Sequence, residues 1–126
     1  MSNNEKYRDK LSEDAFKDCR LAATEQPFSG KYNDHWKSGL YSCACCEQQL
    51  FTSESKFNAG CGWPSFFSSI EGKVAYLEDK TLGMTRIEIQ CDNCQSHLGH
   101  VFNDGPKPTG KRYCVNSLSL CFVENT

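Results

Sequence analysis

The spacing of hydrophobic and polar positions divides the chain into a short helical part and a longer β part. Ser12 is a suitable N-cap for a helix that runs to about Ala22, and Phe16 and Cys19 lie one turn apart on one of its faces. From Leu40 onward, short apolar runs alternate with turn residues, which is typical of strands. The pattern predicts a small, mainly β domain with an N-terminal helix.

Alternation is clearest in the segment 84–91, where Thr85, Ile87 and Ile89 share one face of a predicted half-buried strand. Further strands are predicted at 40–42, 49–51, 74–77, 97–102 and 113–123. The segment 58–64 holds two glycines and a proline, so it is predicted to be a loop.

The length of 126 residues fits one domain, and we expect residues 1–10 to form a flexible tail and residues 11–126 to form the domain. The formal net charge of −2 offers no basic surface for a phosphate backbone, so a nucleic-acid partner is not expected. The sequence has no apolar run long enough to span a bilayer, and its polar first residues give no sign of a signal peptide. These features predict a cytoplasmic protein without a membrane partner.

Nine cysteines are an unusual number for a chain of this length, and an odd number cannot all pair within one chain. In a reducing compartment, cysteines at such density are more often metal ligands or redox groups than structural bridges. Two pairs have CxxC spacing, Cys43 with Cys46 and Cys91 with Cys94. Two such turns can place four thiolates around one tetrahedral ion, which predicts one structural Zn²⁺ per chain.

Two other interpretations of the CxxC pairs stay open at this point. The pairs could be separate redox sites, or the four thiols could be unrelated buried cysteines. Cys45 adds an ambiguity because it could compete for the metal, although the CxxC spacing favours Cys43 with Cys46.

Among the remaining cysteines, Cys114 is the best candidate for a nucleophile. Alternate residues of a strand share a face, so Arg112, Cys114 and Asn116 project together, and a neighbouring cation favours a thiolate. By the same rule, one face of the preceding strand carries His100, Phe102 and Asp104. If the two strands adjoin, the thiol meets an acid–base partner. The alternative is that Cys114 is a small buried apolar residue and His100 a structural histidine.

The loop cysteine Cys61 lies between two glycines, so its thiol can move, and Trp63 beside it offers an apolar aromatic wall. Taken alone, Cys61 is better explained as a loop cysteine without a role, and Trp63 as a tryptophan that caps the core. We interpret Cys19 and Cys121 as packing residues, with Cys121 facing away from Cys114 on the same predicted strand.

Several blocks of the sequence resemble the signature blocks of B-type methionine sulfoxide reductases. The blocks occur in the family's order and span nearly all of residues 11–122, which makes the match far more specific than any one motif. One departure is Leu82, where the family usually has a histidine. The matching blocks are the two CxxC pairs, Lys56-Phe57 and the segments 25–30, 60–66, 97–106 and 112–117.

The resemblance implies a fold of two small antiparallel sheets and a set of roles for residues in the matching blocks. Cys114 would be the nucleophile and Cys61 the resolving cysteine, while Trp63 would hold the methyl group of the substrate. The remaining site residues that we assign are His100, Asp104 and Arg112 for catalysis and His97, Phe102 and Asn116 for substrate binding.

The activity implied by the resemblance is reduction of methionine-R-sulfoxide, free or in proteins, to methionine. Cys114 would become a sulfenic acid and then form a disulfide with Cys61, which thioredoxin would reduce. We expect a monomer. Two other functions stay open: a non-catalytic zinc-ribbon binding module, which would not require Cys114, His100 or a mobile Cys61, and a peroxide-sensing thiol protein, which would not require Trp63.

Overall fold

Two antiparallel sheets, one of three strands and one of six, make up most of the computed structural model, which describes residues 11–21, 24–80 and 83–124. The predicted tail of residues 1–10 lies outside the described residues. So do Leu82 and Ala22, the predicted end of the helix. The prediction of a mainly β fold with two antiparallel sheets is confirmed.

Helix α1 spans Glu13–Leu21. The hydroxyl oxygen of Ser12 accepts a hydrogen bond from the backbone N–H of Ala15 at 3.1 Å, so the predicted N-cap is confirmed. The two predicted core positions, Phe16 and Cys19, are both buried. Within the described ranges, no helix is long and apolar enough to cross a membrane.

The strands follow the order β2-β1-β9 in the small sheet and β3-β4-β8-β7-β6-β5 in the large one. Most predicted strands are confirmed with ends moved by one or two residues, and the segment 58–64 is a loop as predicted. The sequence analysis missed the two short strands β3 and β4. The strands are β1 Gly39–Cys43, β2 Gln49–Thr52, β3 Lys56–Phe57, β4 Ser65–Phe66, β5 Val74–Asp79, β6 Arg86–Cys91, β7 His97–Phe102, β8 Arg112–Val115 and β9 Leu120–Glu124.

Aromatic side chains join the two sheets in the core. Phe51 of β2 stacks on Phe66 of β4 with ring centroids 4.3 Å apart, and Tyr41 of β1 meets the same Phe66 ring edge-on at 5.2 Å. All three side chains are fully buried. Their large apolar areas make this contact a main source of hydrophobic stabilisation between the sheets.

The prediction of one long final strand at 113–123 is wrong. Strand β8 ends at Val115, a 3-10 turn occupies Ser117–Ser119, and β9 then continues in the other sheet. The alternation of buried and exposed residues stops here because Asn116, Ser117 and Ser119 are all buried and hydrogen-bonded. The chain therefore crosses from the large sheet to the small one directly after the predicted nucleophile.

This crossing also corrects the interpretation of Cys121. Cys121 lies on β9 and Cys114 on β8, so the two belong to different sheets rather than to opposite faces of one strand. Cys121 is exposed and is not a packing residue, whereas Cys19 is 2% exposed and packs as predicted.

Candidate active site

Strands β7 and β8 are antiparallel neighbours. The strand that carries His100 therefore adjoins the strand that carries Cys114, which the sequence alone did not show. His100 lies opposite Cys114 in the ladder, and Phe102 lies opposite Arg112. On its other side β8 pairs with β4, which places Ser65 opposite Cys114. Cys114 therefore lies in the interior of the large sheet, on a backbone hydrogen-bonded from both sides, which is a rigid support for a reactive group.

A cavity of about 260 Å³ opens at this position. It brings together eight of the nine predicted site residues outside the metal cluster: Cys61, Trp63, His97, His100, Phe102, Arg112, Cys114 and Asn116. The ninth, Asp104, lies outside the lining. Four further lining residues were not predicted from the sequence: Thr24, Arg86, Gly99 and Val115.

The thiols of Cys61 and Cys114 face each other in this cavity, with their Sγ atoms 3.9 Å apart. Cys61 lies on the loop that precedes β4, and its Sγ is also 3.4 Å from the hydroxyl of Ser65. Gly62 next to it has φ of 95°, and a Cβ there would come within 2.6 Å of the Cβ of Pro27. Only glycine allows the loop to pack this closely and bring Cys61 to Cys114.

The contact between the two thiols shifts their pKa values in opposite directions. The contact with Cys114 lowers the pKa of Cys61 to about 5, and Ser65 and Arg112 act in the same direction against the effect of burial. The same contact, together with burial, raises the pKa of Cys114 above its usual range, and the opposing effect of Arg112 is smaller. Arg112 thus acts as predicted, because it lowers the pKa of both thiols.

Each of the two cavity histidines is held by a carboxylate. A ring nitrogen of His100, Nε2, lies 2.7 Å from Oδ2 of Asp79, and Nδ1 of His97 lies 2.7 Å from Oε2 of Glu88. Such contacts fix the orientation and tautomer of an imidazole. The carboxylates of Asp79 and Glu88 come from the neighbouring strands β5 and β6.

Arg112 is held in the same way from the solvent side. Its Nε and Nη2 donate to the two carboxylate oxygens of Asp104 at 2.9 and 3.2 Å, and its guanidinium carbon lies 4.4 Å from the centroid of the Phe102 ring. The guanidinium lowers the pKa of the Asp104 carboxyl. Because Asp104 does not line the cavity, it can affect the chemistry there only through Arg112.

A second group of chemistry-bearing residues is the cluster of four cysteines from the two CxxC turns. The Sγ atoms of Cys43, Cys46, Cys91 and Cys94 all lie within 4.8 Å of one another. Two of the sulfur–sulfur distances, between Cys43 and Cys94 and between Cys46 and Cys91, are 3.5 Å. A tetrahedral zinc with Zn–S bonds of about 2.3 Å needs sulfur–sulfur edges of roughly 3.8 Å, so these donors fit such an ion.

The cluster bears on the ambiguity over Cys45. Cys45 is buried but is not one of the four clustered sulfurs, so the geometry agrees with the CxxC pair Cys43 and Cys46. The second turn is tied to helix α1, because Nη1 of Arg20 donates to the carbonyl of Cys94 at 2.7 Å. The four cysteines are thus positioned to hold a metal ion.

Comparison with known proteins decides the family. Residues 11–124 match the SelR domain. The chain is 53% identical over 125 residues to the peptide methionine sulfoxide reductase MsrB of Teredinibacter turnerae, an alignment that covers 98% of this chain and 93% of the relative. It is 56% identical over 117 residues to the MsrB of Alteromonas mediterranea, with 92% and 82% covered. The chain belongs to the peptide methionine sulfoxide reductase B family. The resemblance noted in the sequence is therefore confirmed.

Two carboxylates that contact the cavity histidines, Asp79 and Glu88, were not predicted from the sequence. A signal for Glu88 was present, since it alternates with Ile87 and Ile89 and therefore faces away from the core side of its strand. Glu88 lies opposite His100 in the ladder, and Asp79 lies opposite Arg86. Strand register, which single-sequence patterns do not specify, is what brings these carboxylates to the histidines.

Proposed function

We propose that this chain reduces methionine-R-sulfoxide, free or in proteins, to methionine, with thioredoxin as the final reductant. The observation that carries the proposal is the pair of thiols 3.9 Å apart in a cavity shared with Trp63 and a carboxylate-held histidine. The relatives' printed name, peptide methionine sulfoxide reductase, supports the same reaction. We also propose that the protein is a cytoplasmic monomer.

The first step needs a nucleophile and a proton donor together, because the oxygen of a sulfoxide is a poor leaving group until it is protonated. The proton of Cys114 passes to Cys61 across their contact, the loop that carries Cys61 moves away, and the Cys114 thiolate attacks the sulfoxide sulfur. His100, oriented by Asp79, donates a proton to the oxygen as charge develops there. The attack forms a bond between Sγ of Cys114 and the substrate sulfur. This bond and the sulfur–oxygen bond of the substrate then break as the hydroxyl oxygen passes to Cys114, which gives a sulfenic acid and releases methionine with two electrons gained.

The second step returns Cys61 to Cys114. Cys61 attacks the sulfenic sulfur, and the hydroxide takes up the proton of the Cys61 thiol and leaves as water. A disulfide forms when the separation of 3.9 Å closes to about 2.05 Å. A dithiol of the thioredoxin type then attacks this disulfide and takes over the oxidised state by exchange. Cys61 is half-buried and lies on a loop, so it can reach both Cys114 and an external thiol.

We propose that the four clustered cysteines hold one structural Zn²⁺. Thiolates are the donors that zinc prefers in structural sites, and four of them leave no open coordination position. The bound ion would contribute folding energy and no catalytic step.

Turnover of separated sulfoxide epimers with a dithiol reductant tests the reaction directly. We expect release of methionine from the R epimer of a capped methionine sulfoxide and almost none from the S epimer. A non-catalytic zinc-ribbon module would turn over neither epimer. A peroxide sensor would form the Cys61–Cys114 disulfide with peroxide but also leave both sulfoxides unchanged. Faster turnover of the S epimer would overturn the proposed site.

Trp63→Ala is expected to lower turnover of the R epimer by about ten- to a hundredfold, because the substrate methyl group loses its apolar wall. The preference for one epimer should also relax, since the oxygen of the wrong epimer no longer meets the indole. Steady-state rates on both pure epimers measure the effect. Trp36→Ala serves as the control, because that tryptophan is half exposed and does not line the cavity. An unchanged rate for Trp63→Ala would remove Trp63 from the site.

Asp79→Asn is expected to lower kcat by about tenfold or more with little change in KM, because the carboxylate that orients His100 is lost. The amide oxygen can still accept from Nη2 of Arg86, which lines the cavity and contacts Asp79 at 3.4 Å. Steady-state kinetics with the R epimer measure the effect. The matched control is Glu78→Gln, the preceding residue of β5, whose side chain is 57% exposed. Equal kcat values for the two variants would mean that the contact between Asp79 and His100 is not used in proton transfer.

A further inference from the structure

The segment 25–30 is one of the matching blocks, and the proposed function names no role for it. Its first residue, Glu25, contacts two predicted substrate-binding residues through its backbone. The carbonyl oxygen of Glu25 accepts a hydrogen bond from the indole Nε1 of Trp63 at 3.0 Å, and its N–H donates to Oδ1 of Asn116 at 3.2 Å. One peptide position thus connects the aromatic wall of the cavity to its buried amide.

The side chain of Glu25 anchors that backbone. It is 7% exposed, and its Oε1 accepts a hydrogen bond from the backbone N–H of Leu118 at 3.0 Å. Leu118 belongs to the 3-10 turn Ser117–Ser119, which follows Asn116 directly. The carboxylate therefore caps the turn that holds Asn116 in place, while the backbone of the same residue binds the Asn116 side chain.

Tight packing fixes the Glu25 carboxylate in this position. A Cβ at Gly30 would lie 2.3 Å from Oε2 of Glu25 and 2.2 Å from the hydroxyl of Ser117. The hydroxyl of Ser117 in turn accepts a hydrogen bond from the backbone N–H of Tyr32 at 3.2 Å. The segment 24–32 is thereby fastened to the turn at both of its ends.

We propose that Glu25 is a positioning residue that fixes Trp63 and Asn116 relative to each other and thereby sets the epimer preference of the cavity. The proposal rests on the proposed function. The two sulfoxide epimers differ in which side of the sulfur carries the methyl group and which the oxygen. A cavity distinguishes them only if its apolar wall and its polar groups keep a fixed separation. Glu25 is in contact with both.

The test uses the indole N–H signals of the two tryptophans in the ¹⁵N-labelled full-length protein. Trp63 donates to Glu25, whereas Trp36 donates to the carboxylate of Asp34 at 2.8 Å and is an internal reference. In Glu25→Ala we expect the Trp63 signal to shift and its hydrogen to exchange faster with solvent, with the Trp36 signal unchanged. The ratio of R to S turnover should fall about tenfold, as expected for losing one buried hydrogen bond, through a higher KM for the R epimer.

Two further variants separate positioning from general stability. Glu25→Gln keeps an oxygen that can accept from Leu118 and should restore most of the selectivity and the Trp63 signal. Ser55→Ala removes a buried hydroxyl that donates to the carbonyl of Thr52, outside the segment 24–32, and should leave the Trp63 signal in place. If Glu25→Ala does not fold, Glu25→Asp replaces it, because the shorter side chain cannot reach Leu118.

The outcomes are distinct from those that test the reaction itself. An unmoved Trp63 signal in Glu25→Ala or Glu25→Asp overturns the proposal, and so does an R to S ratio equal to that of the unchanged protein. An equal loss of selectivity in Ser55→Ala also overturns it, since the effect would then follow stability alone. The indole signals need no turnover, so a protein inactive on both epimers would contradict the proposed function while leaving the positioning of Trp63 measurable.

Discussion

Replacing Cys114 by serine is expected to abolish sulfoxide turnover with every reductant. A serine hydroxyl does not ionise near neutral pH, and no sulfenic acid can form on it. Methionine release from the R epimer, measured with excess dithiol, should fall to the background rate. The exposed Cys121→Ser is the matched control, since it makes the same chemical change on the other sheet and should retain full activity.

Cys61→Ser is expected to separate the two halves of the reaction. The variant should release about one methionine per enzyme and then stall with thioredoxin, because no disulfide can form. A small thiol should restart it by attacking the sulfenic acid directly. The pH dependence should also change, because Cys61 raises the pKa of Cys114 in the intact pair. Without Cys61 the pKa of Cys114 falls, so the single turnover should extend to lower pH than in the unchanged protein.

Normal recycling of Cys61→Ser by thioredoxin would contradict this assignment and require another resolving cysteine. The structure makes each alternative difficult. Cys121 lies on β9 in the other sheet, and both Cys19 and Cys45 are at most 2% exposed. Either buried thiol would have to leave the core before it could react. Mass mapping of the disulfide formed after one turnover would identify the partner of Cys114.

The parts of the fold that the sequence predicted are those with a local signal. Ser12 marks the start of helix α1, and the alternation of buried and exposed positions locates the strands, because capping and side-chain periodicity act within a few residues. The break between β8 and β9 was missed for a non-local reason. Ser117 and Ser119 are buried through partners distant in sequence, Tyr32 and His97, which the local pattern does not reveal.

The site shows the same division between local and long-range determinants. Cys114 shares a face with Arg112 and Asn116, so one strand's periodicity was enough to group them. The contacts of His100 with Asp79 and of Trp63 with Glu25 join segments 21 and 38 residues apart. Such contacts follow from strand register and loop packing, and no periodicity within one element predicts them.

The largest effect on stability is expected from removing one ligand of the cysteine cluster. Cys43 is the last residue of β1 in the small sheet, and Cys91 is the last residue of β6 in the large sheet. A metal held by both would therefore join the two sheets. Cys91 is fully buried, and three thiolates around an ion leave an incomplete site. Structural zinc contributes about 10–16 kcal/mol in small domains, as much as the whole unfolding free energy of about 5–15 kcal/mol.

Cys91→Ser should therefore unfold or aggregate rather than give a folded, slow enzyme. Metal analysis and thermal unfolding measured by circular dichroism give the result, with one zinc expected per chain before the substitution and none after it. Cys45→Ala is the matched control, because it removes a buried cysteine beside the cluster that is not among the four ligands. It should keep the zinc and lose the packing and the weak thiol contacts of one small side chain, about 1 kcal/mol. Fully active protein without bound zinc would contradict the structural role, because the two sheets would then be held by their aromatic core alone.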